Sequence, residues 1–193
     1  MEKSSRFLWI IDPLDGTTNY AHGYPVFSVS IALAKDGEIV LGVVYDPTHD
    51  ELFTAERGKG ARLNGRKIQV SSESHLSRSL LATGFPYDLR ETKVNNFDHF
   101  RNFALRVQGV RRGGSAALDL CYVAAGRLDG FWEMKLGPWD IADASLMVSE
   151  AGGRVTNFLG RPLNLSGKHV LASNGKIHSI MLRIAKQGKF LKS

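Results

Sequence analysis

The sequence predicts a layered α/β (α+β) fold, with residues 1–193 forming a single domain. Three observations carry this. Up to about residue 79 the chain is rich in β-formers and hairpin turns, the mark of an antiparallel sheet. From about residue 80 short apolar runs alternate with helical periodicity. Finally, 193 residues that are 43% hydrophobic and 23% charged are enough for one sizeable core and not for several.

Phe7 to Ile11 is an unbroken apolar run, which predicts a strand buried on both faces. Val26 to Ala34 and Glu38 to Tyr45 are β-rich and joined through Lys35-Asp36-Gly37, a hairpin signal. Glu51 to Ala55 and the arms around Asn64-Gly65 continue an antiparallel meander. In the second half, Leu80 to Thr83 reads as a strand and Asn95 to Val107 as a helix. Ser115 caps a helix whose Leu118, Cys121, Tyr122 and Ala125 form one buried stripe. Leu128 to Trp132 is a strand, and Asp140 opens a helix with Ile141, Ala144, Val148 and Ala151 on one face, stopped by Gly152-Gly153. Val170 to Ala172 is a strand, and Ile177, Ile180, Met181 and Ile184 mark a closing amphipathic helix. A first strand buried on both faces needs covering layers, which this sequence supplies from one side only. The expectation is therefore that an N-terminal portion is missing.

Composition excludes several classes of function. Glycine, proline and charge stand near globular averages, against disorder, collagen-like repeats and coiled coils. No apolar run approaches the roughly eighteen residues of a membrane span, and the N-terminus lacks the pattern of a signal peptide, so a cytoplasmic protein is expected. The single Cys121 excludes an internal disulfide and a CxxC metal site, and on an apolar helix face it reads as core. A net charge of +6 favours anionic partners, but the positives are spread out and not interleaved with aromatics, so nucleic acid is not the primary expected partner. There is no GxxxxGK[ST], HExxH or GxSxG motif.

Two acidic stretches carry the chemistry. In Asp12-Pro13-Leu14-Asp15-Gly16-Thr17-Thr18-Asn19, a strand delivers Asp12 at its carboxyl end and Asp15 follows three residues on, close enough for both carboxylates to reach one small volume. Gly16 lets backbone approach an anion, and Thr17 and Thr18 supply hydroxyls and N–H groups at a helix start. Two adjacent carboxylates repel unless a hard cation lies between them, and oxygen-only ligands point to Mg²⁺ or Mn²⁺. In Gly137-Pro138-Trp139-Asp140, a third carboxylate stands at a helix N-terminus. Taken singly, each stretch also reads as turn chemistry with a capping residue.

Asp12 to Asn19, together with Trp139-Asp140 and Glu150-Ala151-Gly152-Gly153 beyond it, resemble the two signature motifs of the inositol monophosphatase family. Leu81 to Pro86 and Gly114 to Leu120 resemble its bacterial inositol-1-monophosphatase branch. The resemblance implies an αβαβα sandwich, lithium-sensitive and Mg²⁺-dependent hydrolysis of a phosphate monoester (foremost inositol monophosphate), and a homodimer. Carried over by position, Asp12 would bridge two metals, with the Leu14 carbonyl completing the first site and Asp15 and Asp140 holding the second. Gly16 and Thr17 would cradle the phosphate, with the Thr17 hydroxyl orienting the attacking water. Arg111, Ala116 and Glu133 match positions near the substrate's hydroxyls. The family's further metal-binding Glu lies farther upstream than the eleven residues before Asp12 allow, so the first metal site is expected to be incomplete. Fructose-1,6-bisphosphatase, 3′-phosphonucleotide phosphatase and a mainly RNA-machinery-binding role stand as alternatives.

Overall fold

The computed structural model describes residues 5–190. Eleven strands form two sheets. The first is a six-stranded antiparallel meander of β1 (Phe7–Asp15), β2 (Ser28–Lys35), β3 (Glu38–Asp46), β4 (Glu51–Glu56), β5 (Gly60–Leu63) and β6 (Arg66–Lys67), in that order. Its turns follow from residue chemistry. Asp36 (φ 52°) with Gly37 (φ 85°), and Asn64 (φ 48°) with Gly65 (φ 76°), take the left-handed conformations that two-residue hairpins require.

The second sheet contains β7 (Leu80–Thr83), β8 (Gly109–Arg111), β9 (Gly130–Met134), β10 (Arg154–Thr156) and β11 (His169–Ser173), in the order β10-β11-β9-β7-β8. It is mixed, with β7 parallel to both β8 and β9. The short strands β8 and β10 are additions to the sequence expectation. Five α-helices lie among the described residues: α1 (Thr17–Ala21), α2 (Phe97–Ala104), α3 (Ala116–Ala124), α4 (Ala142–Glu150) and α5 (His178–Ala185).

Helices α3 and α4 pack against each other between the two sheets. The main core joins their buried faces to Ala32, Val44 and Phe53 of the first sheet and to Phe131, Val170 and Ala172 of the second. Eight of the nine residues of α3 are buried, so the expected single stripe is an underestimate: a helix with a sheet on either side has few faces left for water. Gly42 of β3 allows this close packing, since a Cβ there would stand 2.6 Å from the Asp143 carbonyl oxygen of α4. On the far side of the second sheet, α2 and α5 cover Leu81, Trp132, Met134 and Leu171. The described residues therefore supply four layers, sheet, helices, sheet, helices.

The first strand is a correction. Phe7, Leu8, Trp9 and Ile11 are all exposed, because β1 is the edge of its sheet and its outward face meets no layer among the described residues. Cross-strand pairing carries this apolar face onward, from Trp9 to Leu33 to Leu41 and from Ile11 to Ile31 to Val43. Apolar content predicted burial; neighbours decide it.

Candidate metal and phosphate site

The site forms where the two sheets present their ends to a common cleft of about 240 Å³. From the first sheet, β1 pairs with β2 in regular register to Asp12 and then shifts before Asp15. The irregularity lets both carboxylates point to one side, where strict alternation would separate residues three apart. The Leu14 N–H donates to Asp12 Oδ1 at 3.0 Å, holding the turn. Gly16 has φ 89°, and a Cβ there would stand 2.8 Å from the Val26 carbonyl oxygen, so conformation and space both demand glycine.

Asp140 arrives from elsewhere. It ends a 3-10 turn, Pro138–Asp140, and accepts the Gly137 N–H at 2.6 Å. It thus precedes α4 and does not open it, a small correction to the sequence reading. Ligand atoms of Asp12, Asp15 and Asp140 all lie within 4.8 Å of one another. Asp15 is buried. Its Oδ2 accepts the Ser115 hydroxyl at 2.6 Å and the Ala117 N–H at 3.0 Å, while Ser115 also caps α3 by accepting the Leu118 N–H at 3.3 Å. Burial, aided by repulsion from Asp140 and Asp12, lifts Asp15 to about 6 against those hydrogen bonds. Burial likewise raises Asp140, with Asp12 adding to the shift. Three mutually repelling oxygen ligands fit a hard divalent cation, which would relieve the repulsion.

The opposite wall belongs to the second sheet and to α3. Glu133 of β9 and Asp119 of α3 are buried and face the cleft, and burial pushes both carboxyls well up, with Asp15 adding to both shifts and Asp119 and Asp140 adding to that of Glu133. Gly84 makes room for Glu133, since a methyl group at 84 would overlap its carboxylate; a Cβ at Gly113 would lie 2.7 Å from Asp119 Oδ1. Arg112 overhangs the cleft with its guanidinium 5.5 Å from the Phe85 ring centre. Asn19 ties the walls together, its amide donating to Val26 O at 2.7 Å and Gly113 O at 2.9 Å.

Of the residues singled out from sequence, Asp15, Ala116, Glu133 and Asp140 line the cleft, and Asp12 joins the acidic cluster. Leu14 is half-buried in the turn, and Thr17, exposed at the start of α1, adjoins Thr18 and Asn19, which reach the cleft wall. Arg111 is placed differently. It is exposed at the end of β8 and turns back to its neighbour's carbonyl, and Arg112 takes the position on the cleft. Sequence reasoning missed Asp119 and Arg112. A signal for Asp119 was present: it is the lone charge inside the apolar run Ala116 to Ala124.

A layered α+β fold with a triad of converging aspartates beside a polar cleft defines the class. The chain matches the Inositol monophosphatase family over residues 1–189, and it belongs to that family. It is 54% identical over 172 residues to an inositol-1-monophosphatase of Synechocystis, covering 89% of this chain and 60% of that protein. It is 48% identical over 180 residues to a protein of Pseudomonas aeruginosa named Nus factor SuhB, covering 91% of this chain and 66% of that one. The chain thus spans about two thirds or less of these curated relatives. Among solved structures, an inositol monophosphatase from Anabaena superposes with a TM-score of 0.94 at 51% identity, covering 97% of this chain and 75% of the other.

Proposed function

We propose that this chain serves Mg²⁺-dependent hydrolysis of a phosphate monoester, with inositol 1-phosphate as the foremost substrate and Mn²⁺ as a substitute ion. The observation that carries the reading is the convergence of Asp12, Asp15 and Asp140 at the mouth of a cleft whose far wall presents Glu133 and Arg112. The three carboxylates, with the Leu14 carbonyl, would hold the ion. When bound, it supplies charge neutralisation for the phosphate and acidifies water.

The chain's own residues supply the rest. Gly16 and Thr17, at the left-handed entry to α1, present backbone N–H groups that have no partner within the helix and are free to cradle phosphate oxygens. The Thr17 hydroxyl orients the attacking water. The Ser115 hydroxyl holds Asp15 through its Oδ2, and the Gly137 N–H holds Asp140 through its Oδ2. Arg112, at the cleft, offers a guanidinium to the anionic ester. Phosphoryl transfer needs positioning and charge compensation more than a protein nucleophile, and no Ser or Cys is required. Lithium sensitivity, a homodimer and a cytoplasmic location accompany this reading; no helix among the described residues is long and apolar enough to cross a membrane.

The test is phosphate release from inositol 1-phosphate, fructose 1,6-bisphosphate and 3′-phosphoadenylate with and without Mg²⁺. Inositol 1-phosphate is expected to be turned over fastest, and Asp12→Asn or Asp140→Asn to abolish release. Retained Mg²⁺-dependent turnover in either variant defeats the ligand assignment. A second reading, regulation through binding RNA-associated machinery, is favoured by the 48% identity to the protein named Nus factor SuhB. Asp15→Asn separates the two, since a binding role survives the loss of hydrolysis.

A further inference from the structure

Asp119 stands one turn into α3 with its side chain in the cleft and is only 5% exposed. Its backbone N–H belongs to the helix, donating to Ser115 O at 3.0 Å, but among the described residues no hydrogen bond reaches its carboxyl group. Glu133 shares this condition, 7% exposed and without a hydrogen-bond donor. Both carboxyls open onto the cleft, and a ligand that fills it without supplying a donor would leave them desolvated and unpaired. Asp15 and Asp143, equally buried in the same protein, each have donors: Ser115 and Ala117 for the first, Ser30 for the second. Gly84 and Gly113 pack against the carboxyls of Glu133 and Asp119, where any side chain would collide with them.

We propose that Asp119 is a specificity-determining residue that accepts hydrogen bonds from ring hydroxyls of a cyclic polyol phosphate, beside Glu133 and opposite the phosphate. The inference rests on the phosphatase reading above and extends it to the alcohol half of the ester. A hydroxyl-bearing ring brings the donors both oxygens lack, and a hydroxyl-free ring of the same size leaves them unpaired. Discrimination between the two rings follows from that unpaired cost.

The experiment compares inositol 1-phosphate, cyclohexyl phosphate and inorganic phosphate on the 193-residue chain with excess Mg²⁺, reading KM where the ester is turned over and Kd by calorimetry where it is only bound. The parent is expected to prefer inositol 1-phosphate to cyclohexyl phosphate. Asp119→Ala should weaken inositol 1-phosphate about tenfold, the loss of one buried hydrogen bond. Cyclohexyl phosphate and inorganic phosphate should bind as before, because neither brings a ring hydroxyl to position 119. Asp119→Asn, which keeps one acceptor oxygen, should fall between. A purely structural residue would weaken all three ligands together, and that result, or an unchanged preference in Asp119→Ala, overturns the inference. A parent that binds phosphate and both esters without preference overturns it while leaving the phosphatase reading intact. A parent that binds none of the three overturns both.

Discussion

Replacing Asp15 with Asn separates two consequences of burying a carboxylate among others. Oδ2 of Asp15 accepts both the Ser115 hydroxyl and the Ala117 N–H, so an amide can place its single oxygen there and keep both bonds. What changes is charge. Burial, with Asp140 and Asp12 nearby, lifts Asp15 from 3.8 to about 6 in the metal-free fold. The folded state then holds its proton more tightly than the unfolded chain, so stability falls as pH rises from about 4 to about 6. At roughly 1.4 kcal/mol per unit, the full penalty is about 3 kcal/mol. Urea denaturation in EDTA should therefore find Asp15→Asn more stable than the parent by about 3 kcal/mol at pH 7.5 and by about 1 kcal/mol at pH 4.5. Saturating Mg²⁺ should reverse the order, raising the midpoint of the parent and leaving the variant unmoved. If Asp15→Asn is no more stable than the parent at pH 7.5, or the difference is the same at both pH values, the electrostatic account of the cluster is wrong.

Three further outcomes are expected. Ser115→Ala removes the cap of α3 and a donor to Asp15, and should lower the urea-derived stability by about 1–2 kcal/mol; an unchanged midpoint would contradict the cap. Gly84→Ala drives a methyl group into the Glu133 carboxylate and should cost about 1–3 kcal/mol, read as a fall in Tm; an unchanged Tm would contradict the contact. His178, bonded to Thr156 at 3.0 Å and Ser173 at 2.8 Å, is lowered by burial from 6.5 to about 4. The unfolded chain takes the proton first, so stability should be lost as pH falls from about 6.5 to 4, and His178→Gln should flatten that slope in a pH series of thermal melts.

Much of this protein was legible because its informative residues obey local rules. Asp36-Gly37 and Asn64-Gly65 announce hairpins by their tolerance of positive φ, and the Ser115 hydroxyl announces a helix start. The acidic triad was legible through the signature stretches that contain it, although nothing local says that residues 12 and 140 meet. What escaped depends on which neighbours arrive. An apolar run gives the same signal at a sheet centre and at its edge, so Phe7 to Ile11 read as buried when β1 is exposed. Adjacent arginines look alike in sequence, and the end of β8 decides that 112 faces the cleft and 111 faces away. The role of Ser115 was half legible: the cap follows from its position, and its bond to Asp15, one hundred residues earlier, follows only from the packing of α3 beside β1.

The cleft has an uneven parentage. The aspartate cluster hangs from the edge strand β1 and from the turn before α4, while Glu133 and the loops carrying Gly84 and Arg112 ride on the second sheet, with Asp119 on α3 between. On the proposed reading, the residues that would hold ions and those that would meet the rest of a bound ester are thus inherited from different parts of the architecture. Drift at positions 84, 112 or 133 can retune which molecule is admitted while the aspartates stay fixed. One scaffold of this kind can diversify its clientele without reinventing its chemistry.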